Sequence, residues 1–423
     1  MKKILTTTLL TISTAAFSQT ANFDGYIVKL RDNANTLVSS AFQKDINVID
    51  LKLSFGNFFK LSSNNLVPLD IEAIKKNPAV EYIEPNYLYY PQDHVPPKPS
   101  NIKDIEFNGQ WAVYNNGHNT WVANSPIGVD INVTKAWDLT KGSRDIVIAV
   151  IDSGVDYNHP DLKDSVWVNE KELNGKPGVD DDGNGYIDDI HGYDFANNDG
   201  DPLDDNGHGT HVSGIIAAAH NEIGVRGVMA NAKIMSLKFL TAKGPGDTAN
   251  ALKGIEYAIN NGAKIINNSW GGGDYSQAMN DAFTKAAQKN IVIVVAAGNT
   301  NNDNDTKPMY PANYNVPGII SVGSLSMMDV KSSFSSFGKK SVHVFAPGNY
   351  IISTDVEQPY KWRSGTSMAA PFVTGAIGLL LSKESNLGVE DIKRRVIDTS
   401  VKNSNYSKFG VGGRLNIYDL LTK

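Results

Sequence analysis

Five short apolar runs that alternate with helical stretches constrain the fold of this 423-residue chain more than any other feature. The runs are continuous in apolar residues, which is typical of strands in a parallel sheet covered on both faces. Alternation with helices indicates repeated strand–helix–strand units. The sequence therefore predicts an α/β fold of three layers with a mostly parallel central sheet from about residue 108. The runs are Ile146–Ile151, Ile234–Phe239, Lys264–Asn268, Ile291–Ala297 and Gly318–Val322, and the helical stretches include Ala249–Asn260 and Asp274–Lys289.

The N-terminal part of the chain follows a different pattern and predicts a separate, smaller unit. Strand-like segments at Gly25–Leu30, Phe58–Leu61 and Val80–Asn86 accompany one short amphipathic helix, Ile71–Lys76. This order predicts a small α+β (ferredoxin-like) module over residues 19–90. The proline-rich residues 91–107 predict an extended, exposed linker, and the main domain is then expected over residues 108–423.

The first residues predict export from the cell. Met1-Lys2-Lys3 is a positive n-region, Ile4–Phe17 is mostly apolar, and Ala16-Phe17-Ser18 offers small residues around a cleavage point. These features predict a removable signal peptide over residues 1–18 and a secreted protein, extracellular or periplasmic. A buried or membrane-anchoring N-terminal helix is the alternative, although the apolar run is short for a membrane span.

Net charge and cysteine content exclude several classes of function. The formal net charge is −6, which gives no reason to expect nucleic-acid or anionic-membrane partners. No later segment approaches the roughly 20 apolar residues that a spanning helix needs. The chain has no cysteine, so disulfides, thiol catalysis and Cys-ligated zinc are ruled out.

Three segments carry the residue types of a serine hydrolase. Asp152 ends an apolar strand, His208 opens a small-residue helix, and Ser367 lies in the stretch Gly365–Pro371, at the first turn of another apolar helix. A serine hydroxyl needs a base to take its proton, an imidazole titrates near neutrality, and a carboxylate fixes the imidazole tautomer. The order Asp, His, Ser differs from that of chymotrypsin-like proteases and of α/β-hydrolases.

These motifs resemble those of the subtilisin-like serine proteases (subtilases) over essentially everything after residue 108. The resemblance implies a serine endopeptidase that works through an acyl-enzyme on Asp152, His208 and Ser367. Asn299, at the end of an apolar strand, matches the side-chain donor of the subtilase oxyanion hole, with the Ser367 backbone N–H as the second donor. His211, one helical turn after His208, is predicted to be a packed or hydrogen-bonded helix residue.

Two glycine-containing segments resemble the edges that hold an extended peptide substrate in subtilases. They are Ser269-Trp270-Gly271 on one side and Gly244-Pro245-Gly246 on the other. Trp270 is interpreted as an apolar wall that favours large apolar or aromatic side chains, with simple core packing as the alternative. Met309 aligns with the floor of the pocket for the side chain before the cleaved bond, which predicts a shallower but adaptable pocket.

The N-terminal module resembles the subtilase propeptide through Tyr26–Leu30 and Pro78–Asn86. The resemblance implies an intramolecular inhibitor and folding assistant whose extended tail lies in the substrate cleft. It also implies a linker that the enzyme itself cuts, between about Tyr90 and Phe107.

An acidic loop between the first two motifs predicts a structural Ca²⁺ site. Alternating carboxylates and an amide, with glycines that let the chain curl, supply the oxygen ligands of a hard cation. The spacing is that of an incomplete EF-hand loop, because His191 stands where a Glu closes such loops. A solvated acidic loop is the alternative. The candidate ligands are Asp180, Asp182, Asn184, Tyr186, Asp188 and Asp189.

Two alternative functions are compatible with the same predicted fold. An esterase-type serine hydrolase would prefer esters to peptides, and digestion of casein against a chromogenic ester separates the two. A non-catalytic binding protein requires a broken motif, and none of the three motifs is broken. Labelling with a fluorophosphonate probe distinguishes it from an enzyme.

Overall fold

The computed structural model describes residues 23–32, 46–63, 69–94, 109–117 and 125–423. The predicted signal peptide and residues 95–107 of the predicted linker lie outside these ranges. Within the ranges, no helix combines the length and apolar character that a membrane crossing requires.

The N-terminal module is an antiparallel sheet with one short helix. Its strands are β1 (Phe23–Leu30), β2 (Ile46–Asp50), β3 (Asn57–Ser63) and β4 (Val80–Pro91), in the order β4-β1-β3-β2. Helix α1 (Ile71–Lys75) begins at Asp70, whose carboxylate accepts the Ala73 N–H. The sequence pattern did not predict β2, and it ended β4 near Asn86. The strand runs on to Pro91 because its last residues pair with the main domain.

The module buries both faces of its sheet. Val28 and Leu30 of β1 pack with Ile74 of α1 in a small core. Ile27, on the opposite face of the same strand, belongs to a larger apolar cluster that continues into the main domain. The module is therefore docked through apolar side chains as well as through its C-terminal strand.

The main domain is built on a seven-stranded parallel sheet. Five of its strands lie within two residues of the predicted runs at their starts, and two short strands, β6 and β13, were not predicted. The sheet order is β13-β12-β11-β9-β5-β7-β6, and every pairing is parallel. The strands, in chain order, are β5 (Val147–Asp152), β6 (Gly192–Asp194), β7 (Lys233–Lys238), β8 (Gly246–Asp247), β9 (Ile265–Asn268), β10 (Trp270–Gly271), β11 (Val292–Ala296), β12 (Ile319–Leu325), β13 (Val344–Pro347), β14 (Ile351–Thr354) and β15 (Tyr360–Arg363), of which β8, β10, β14 and β15 lie outside the parallel sheet.

Helices cover both faces of this sheet, as its continuous apolar strands predict. Ile148 and Val150 of β5 point into one apolar cluster, whereas Ala149 and Ile151 point into the other. The predicted α/β fold class is confirmed. The helices are α2 (Val133–Ala136), α3 (Glu170–Leu173), α4 (His208–Ala217), α5 (Thr248–Asn260), α6 (Gln277–Gln288), α7 (Thr366–Lys383), α8 (Val389–Asp398) and α9 (Ile417–Thr422), with one 3-10 turn at Lys163–Ser165.

The carboxyl edge of the sheet collects the polar groups that the sequence singled out. Asp152 is the last residue of β5, and Asn299 follows β11 by three residues. Reactive groups of parallel sheets lie at this edge. Helices α4 and α7, whose first residues include His208 and Ser367, are buried over almost their whole length.

Candidate active site

Asp152 and His208 form a buried hydrogen-bonded pair. His208 Nδ1 lies 2.6 Å from Asp152 Oδ1, and neither side chain is exposed to solvent. The Ser153 N–H donates to the same carboxylate oxygen at 2.8 Å, which fixes its orientation. Gly207 precedes the helix with φ of 90°, a conformation that favours glycine, and it turns the chain so that the imidazole faces the end of β5.

Two carboxylates shape the titration of His208. Burial alone would lower the pKa of this imidazole, but the charges of Asp152 and Asp93 offset burial and raise the pKa above 6.5. The orientation of the ring leaves Nε2 without a hydrogen-bond partner among the described residues. A buried imidazole with one nitrogen tied to a carboxylate and the other unpaired is arranged to accept a proton from a third group.

Ser367 lies on α7, which packs against the helix that carries His208, but its hydroxyl is bonded to another group. It is the second residue of α7 and is fully buried, and its Oγ donates to the Ser269 carbonyl at 2.6 Å. Of the predicted proton-transfer chain, the structure thus contains the link from Asp152 to His208, while Ser367 bonds to a backbone oxygen instead.

Asn299 faces the N-terminus of α7 as the oxyanion hypothesis requires. Its Oδ1 accepts the Thr366 N–H at 2.9 Å and the Thr366 hydroxyl at 3.0 Å. The amide nitrogen Nδ2 is buried and has no partner in the described part of the chain. An unpaired buried donor is costly, so this nitrogen is available for an acceptor that enters the site.

The cleft beside these residues is filled by the protein's own chain. The end of β4 pairs antiparallel with β10 on one side, Tyr90 with Gly271 and Pro91 with Trp270, and with β8 on the other, Tyr89 with Gly246. The two glycine-containing segments predicted to hold an extended peptide thus pair with Leu88–Pro91, and Gly244 lies beside Pro91 as well.

The strand ends with a carbonyl on the Ser367 backbone. The Gln92 N–H donates to Ser269 O at 3.2 Å, and Gln92 O accepts the Ser367 N–H at 3.1 Å. Both this carbonyl and the Asn299 amide lie against Gly365. A Cβ at Gly365 would stand 2.3 Å from Gln92 O and 3.1 Å from Asn299 Nδ2, so only glycine admits the chain here.

Trp270 is buried and contacts both the core and the strand in the cleft. Its Nε1 donates to Ile151 O at 2.8 Å, and its ring packs against Phe239. The other contact is with Tyr89 of the cleft strand, at a ring-centroid distance of 4.9 Å, and Tyr89 is itself fully buried. The wall that Trp270 forms therefore holds an aromatic side chain in this structure.

Met309 lies against the pocket next to Gln92. A Cβ on Gly271 would stand 2.3 Å from the Met309 methyl group, and one on Gly298 would stand 2.0 Å from its sulfur. The Gln92 amide donates to Gly271 O at 3.2 Å from the same region. Gly271 and Gly298 therefore leave room for the Met309 side chain beside Gln92, and its role in the pocket stays a prediction.

Beyond Gln92 the chain meets residues that no motif indicated. His94 and Ser364 exchange backbone hydrogen bonds of 2.8 and 3.0 Å. The Asp93 carboxylate forms an ion pair of 2.7 Å with Arg363, which also binds Asp355. The only available signal was a basic residue shortly before the serine motif, which is too weak to assign a role.

The module is held to the main domain by charged contacts far from the cleft as well. Glu84 of β4 accepts hydrogen bonds from the Ser276 hydroxyl at 2.7 Å and the Gln277 N–H at 2.8 Å, at the start of α6. Lys29 pairs with Asp281 of the same helix at 3.1 Å. A carboxylate at a helix N-terminus is stabilised by the unpaired N–H groups there.

The acidic loop brings together a partly different set of oxygens from the predicted one. Carboxylate oxygens of Glu172, Asp180 and Asp182 lie within 4.8 Å of one another. Glu172 was missed because it lies on α3, ahead of the acidic loop. Asn184 is adjacent, its amide donating to Asp182 at 3.2 Å.

The other three predicted ligands are not among these carboxylates: Tyr186 was predicted to bind through its backbone carbonyl, and Asp188 and Asp189 make other hydrogen bonds. The Asp188 carboxylate accepts the Gly178 N–H, and Asp189 accepts the Tyr257 hydroxyl at 2.5 Å. The Tyr186 ring packs in an aromatic cluster with Tyr257.

His211 is a buried helix residue, as predicted. Its Nε2 lies 2.9 Å from Lys361 O. Burial first, and then the Arg363 charge, hold the pKa of His211 well below the usual value, so the ring is neutral.

Comparisons with known proteins agree with this geometry. A model of the subtilase family matches residues 143–412. The chain is 36% identical over 354 residues to the thermophilic serine proteinase of Bacillus sp. (strain AK1), covering 83% of this chain and 75% of that protein. It is 39% identical over 289 residues to subtilisin-like protease 1 of Plasmodium berghei (strain Anka), covering 64% of this chain and 48% of that protein.

Among solved structures, fervidolysin from Fervidobacterium pennivorans, described as a keratinolytic enzyme related to subtilisin, matches with a TM-score of 0.72 at 26% identity. The match covers 95% of this chain and 61% of that chain. This chain thus spans about half of the Plasmodium protein and about three fifths of fervidolysin.

Proposed function

This chain belongs to the subtilase family of serine endopeptidases, and on that basis we propose that Asp152, His208 and Ser367 cleave peptide bonds through an acyl-enzyme. One observation carries the proposal. An extended segment of the chain itself lies in the cleft with the Gln92 carbonyl 3.1 Å from the Ser367 N–H, as a bound substrate would.

In the proposed reaction Ser367 Oγ attacks the carbonyl carbon of Gln92 while His208 Nε2 takes the hydroxyl proton. The bond from that carbon to the Asp93 nitrogen then breaks, and His208 gives the proton to the leaving nitrogen. Water hydrolyses the remaining ester by the same route in reverse. In this proposal, rotation about the serine Cα–Cβ bond releases Oγ from the Ser269 carbonyl. The hydroxyl then donates to the unpaired Nε2 of His208.

Asn299 is proposed as a donor to the oxyanion. In the ground state the Gln92 carbonyl is held by the Ser367 N–H, and the Asn299 amide beside it has no partner. As the carbonyl becomes tetrahedral its oxygen moves and gains negative charge, which a waiting donor stabilises more than it stabilises the starting amide.

The module is proposed to act as an inhibitor that the enzyme cuts from itself, between Gln92 and Asp93. Until then the cleft is occupied by the chain's own backbone, and no substrate can pair with β8 or β10. The proposal thus narrows the expected cut, between about Tyr90 and Phe107, to one bond.

The test is the fate of a Ser367→Ala precursor. It should accumulate uncut, while wild type yields a mature protein whose first residue is Asp93 by N-terminal sequencing. Ser404→Ala, which alters an exposed serine, is the matched control and should mature like wild type. Normal maturation of purified Ser367→Ala, or no labelling of wild type by a fluorophosphonate, would overturn the assignment.

Calcium is proposed as a structural ion at Glu172, Asp180 and Asp182, with Asn184 beside them. No lysine or arginine in the described ranges forms a salt bridge with any of these three carboxylates, so their clustered charge fits a hard cation. The cation would neutralise this charge and fix the loop. Glu172→Gln should lower Ca²⁺ affinity by titration calorimetry, whereas Glu170→Gln on the exposed side of α3 should not. A melting temperature indifferent to chelator would count against the site.

Export is also proposed, on the strength of the N-terminal sequence. Two lysines, an apolar stretch and small residues at positions 16 and 18 are the signature of a removable leader. Expression of the full chain should release protein lacking residues 1–18 into the medium or periplasm. Protein that keeps these residues and stays inside the cell would contradict the proposal.

A further inference from the structure

The residue after Gln92 makes a buried ion pair in the cleft. Arg363 Nη1 donates to Asp93 Oδ2 at 2.7 Å, and the two side chains are only 7% and 14% exposed. Burying a charge without a partner is expensive, so this contact limits which side chains the position accepts. The contact is separate from the backbone pairing that holds the preceding residues.

Arg363 is held in place before any substrate arrives. Its Nε and Nη2 donate to one oxygen of Asp355, at 3.2 and 2.9 Å, and Asp355 is fully buried at its side chain. Its backbone is fixed in β15, opposite Ile351 of β14. One edge of the guanidinium is thus occupied, and the Nη1 edge is directed at the cleft. A pre-oriented planar donor recognises carboxylates better than a flexible amine does.

The position of Arg363 places it on the leaving-group side of the proposed cleaved bond. A Cβ on Gly207, next to His208, would stand 3.0 Å from Arg363 Nη2. On the other side, Ser364 pairs through its backbone with His94. The guanidinium therefore lies between the proposed base and the strand that continues past the cut.

The Asp93 carboxylate is ionised in this environment. Burial by itself would raise its pKa, but the nearby charges of His208 and Arg363 lower the pKa of Asp93 below its usual range. The pair is a charge-assisted one: an apolar side chain at the same place would leave the buried Nη1 without an acceptor, and an amide would offer an oxygen but no negative charge.

We propose that Arg363 is a specificity-determining residue that selects an Asp or Glu side chain directly after the cleaved bond. The inference rests on the proposed function and names its preferred substrates: extended peptides with an acidic residue on the leaving-group side. An amide in that place leaves Arg363 without its anion, and a lysine adds a second buried cation, so each is discriminated against.

The test uses matured wild-type enzyme and quenched-fluorescence peptides that copy residues 88–94, with Asp, Glu, Asn or Lys in place of Asp93. Mass spectrometry locates the cut in each peptide. We expect kcat/KM for the Asp peptide to exceed that for the Asn peptide by about 10- to 100-fold, with the Lys peptide slower still. The kcat/KM of the Glu peptide should be closer to that of the Asp peptide than to that of the Asn peptide.

A variant enzyme connects the preference to this residue. Arg363→Gln alone would leave Asp355 buried without its cation, so the test variant is Arg363→Gln/Asp355→Asn, which removes both charges together. In this enzyme the ratio of kcat/KM for Asp over Asn should fall to near one. Asp391→Asn/Arg394→Gln, an exposed ion pair on α8, is the matched control and should keep the wild-type ratio.

The outcomes separate this inference from the proposed function. Cleavage of all peptides at equal rates overturns the inference and leaves a working protease, as does a preference for Asp that survives in the double variant. Failure to cleave any peptide overturns both. If the double variant does not fold, the peptide series on wild type decides alone. The claim for substrates is also overturned if Asp93→Asn slows self-cleavage of the precursor while the Asp and Asn peptides are cleaved at equal rates.

Discussion

The two halves of the cleft hold the same strand by different means. Before Gln92 the chain is bound by backbone hydrogen bonds to β8 and β10, with one buried aromatic ring, Tyr89. After Gln92 it is bound by the buried Asp93–Arg363 ion pair and one short backbone bridge. Backbone pairing accepts any extended sequence in register, whereas a buried charge accepts few side chains. The first half therefore positions a chain, and the second half selects among chains.

The largest expected effect comes from the point where the two halves meet. Asn299→Ala removes the amide that faces the Gln92 carbonyl, and subtilisin loses about 10²–10³-fold in kcat when one oxyanion-hole donor is removed. We expect a loss of this size for every peptide, with KM little changed, measured by steady-state kinetics. If kcat fell only for peptides with substitutions on one side of the cleaved bond, Asn299 would act on binding instead.

Gly365→Ala should also disable both halves. The new methyl group would stand 2.3 Å from Gln92 O and 2.8 Å from Asp93 Cα, so the strand must shift. Displacement of about 1 Å costs roughly 10²-fold in rate. The first-order rate of self-cleavage measures it. Gly388→Ala, where the nearest atom is 3.5 Å away, is the control and should mature normally. Equal rates for the two variants would mean that Gln92 is not the reacting carbonyl.

The aromatic contact should matter only in the first half. A peptide with Ala in place of Tyr89 loses the contact with Trp270, and we expect kcat/KM to fall about 10- to 100-fold, as for other buried aromatic anchors. Ala in place of Tyr90, which is 39% exposed, should cost less than about threefold. Equal losses at the two positions would refute a specific pocket for Tyr89.

Anchoring outside the cleft should be weaker than either half. In a Ser367→Ala precursor, Glu84→Gln replaces one of the two carboxylate oxygens that accept hydrogen bonds at the start of α6 with an NH2 group that cannot accept, and should lower the free energy of unfolding by about 1–2 kcal/mol. Glu81→Gln, on a side chain that is 40% exposed, should lower it by less than about 0.5 kcal/mol. Urea unfolding of both proteins measures the difference. Identical midpoints would show that the helix cap contributes nothing.

The smallest effect is a shift in pH dependence. The base must be neutral, and because Asp152 and Asp93 raise the pKa of His208 above 6.5, self-cleavage should accelerate as pH rises through a range above that value. Asp93→Asn removes one of the two negative charges, so the pKa falls and the rising limb moves to lower pH. Self-cleavage rates from pH 5 to 9, each normalised to its plateau, reveal the shift. If the rising part of the pH profile lay at the same pH in both proteins, the charge of Asp93 would not act on the His208 imidazole.

The sequence predicted those parts of the site that are local in the chain. Asp152 ends a strand, His208 and Ser367 lie in the first turn of a helix, and Asn299 follows a strand by three residues, each in a recognisable pattern near the carboxyl edge of the sheet. Arg363 and Glu84 were missed because their partners lie 270 and 192 residues away, in segments with no motif of their own. The direction of the Ser367 hydroxyl is a rotamer, which no spacing encodes.

The fold was predictable to the same extent and for the same reason. Apolar runs rich in β-branched residues, such as Ile291–Ala297, predict a buried strand from the local sequence. The three-residue β6, and the last residues of β4, become strands only because a partner edge is present, and that partner is not adjacent in sequence. Tertiary pairing, rather than local preference, decides such segments.

The continuity of β4 has a consequence for timing. Strand β4 runs from the core of the module to Pro91, one residue before Gln92, so hydrolysis of the bond between Gln92 and Asp93 severs the chain without breaking any pairing of β4. Newly cut molecules should therefore stay inhibited, because the module still fills the cleft. The first molecules that release their module then digest the modules of other molecules. Activity in a purified batch should therefore show a lag and then a self-accelerating rise, with a lag that shortens as protein concentration increases.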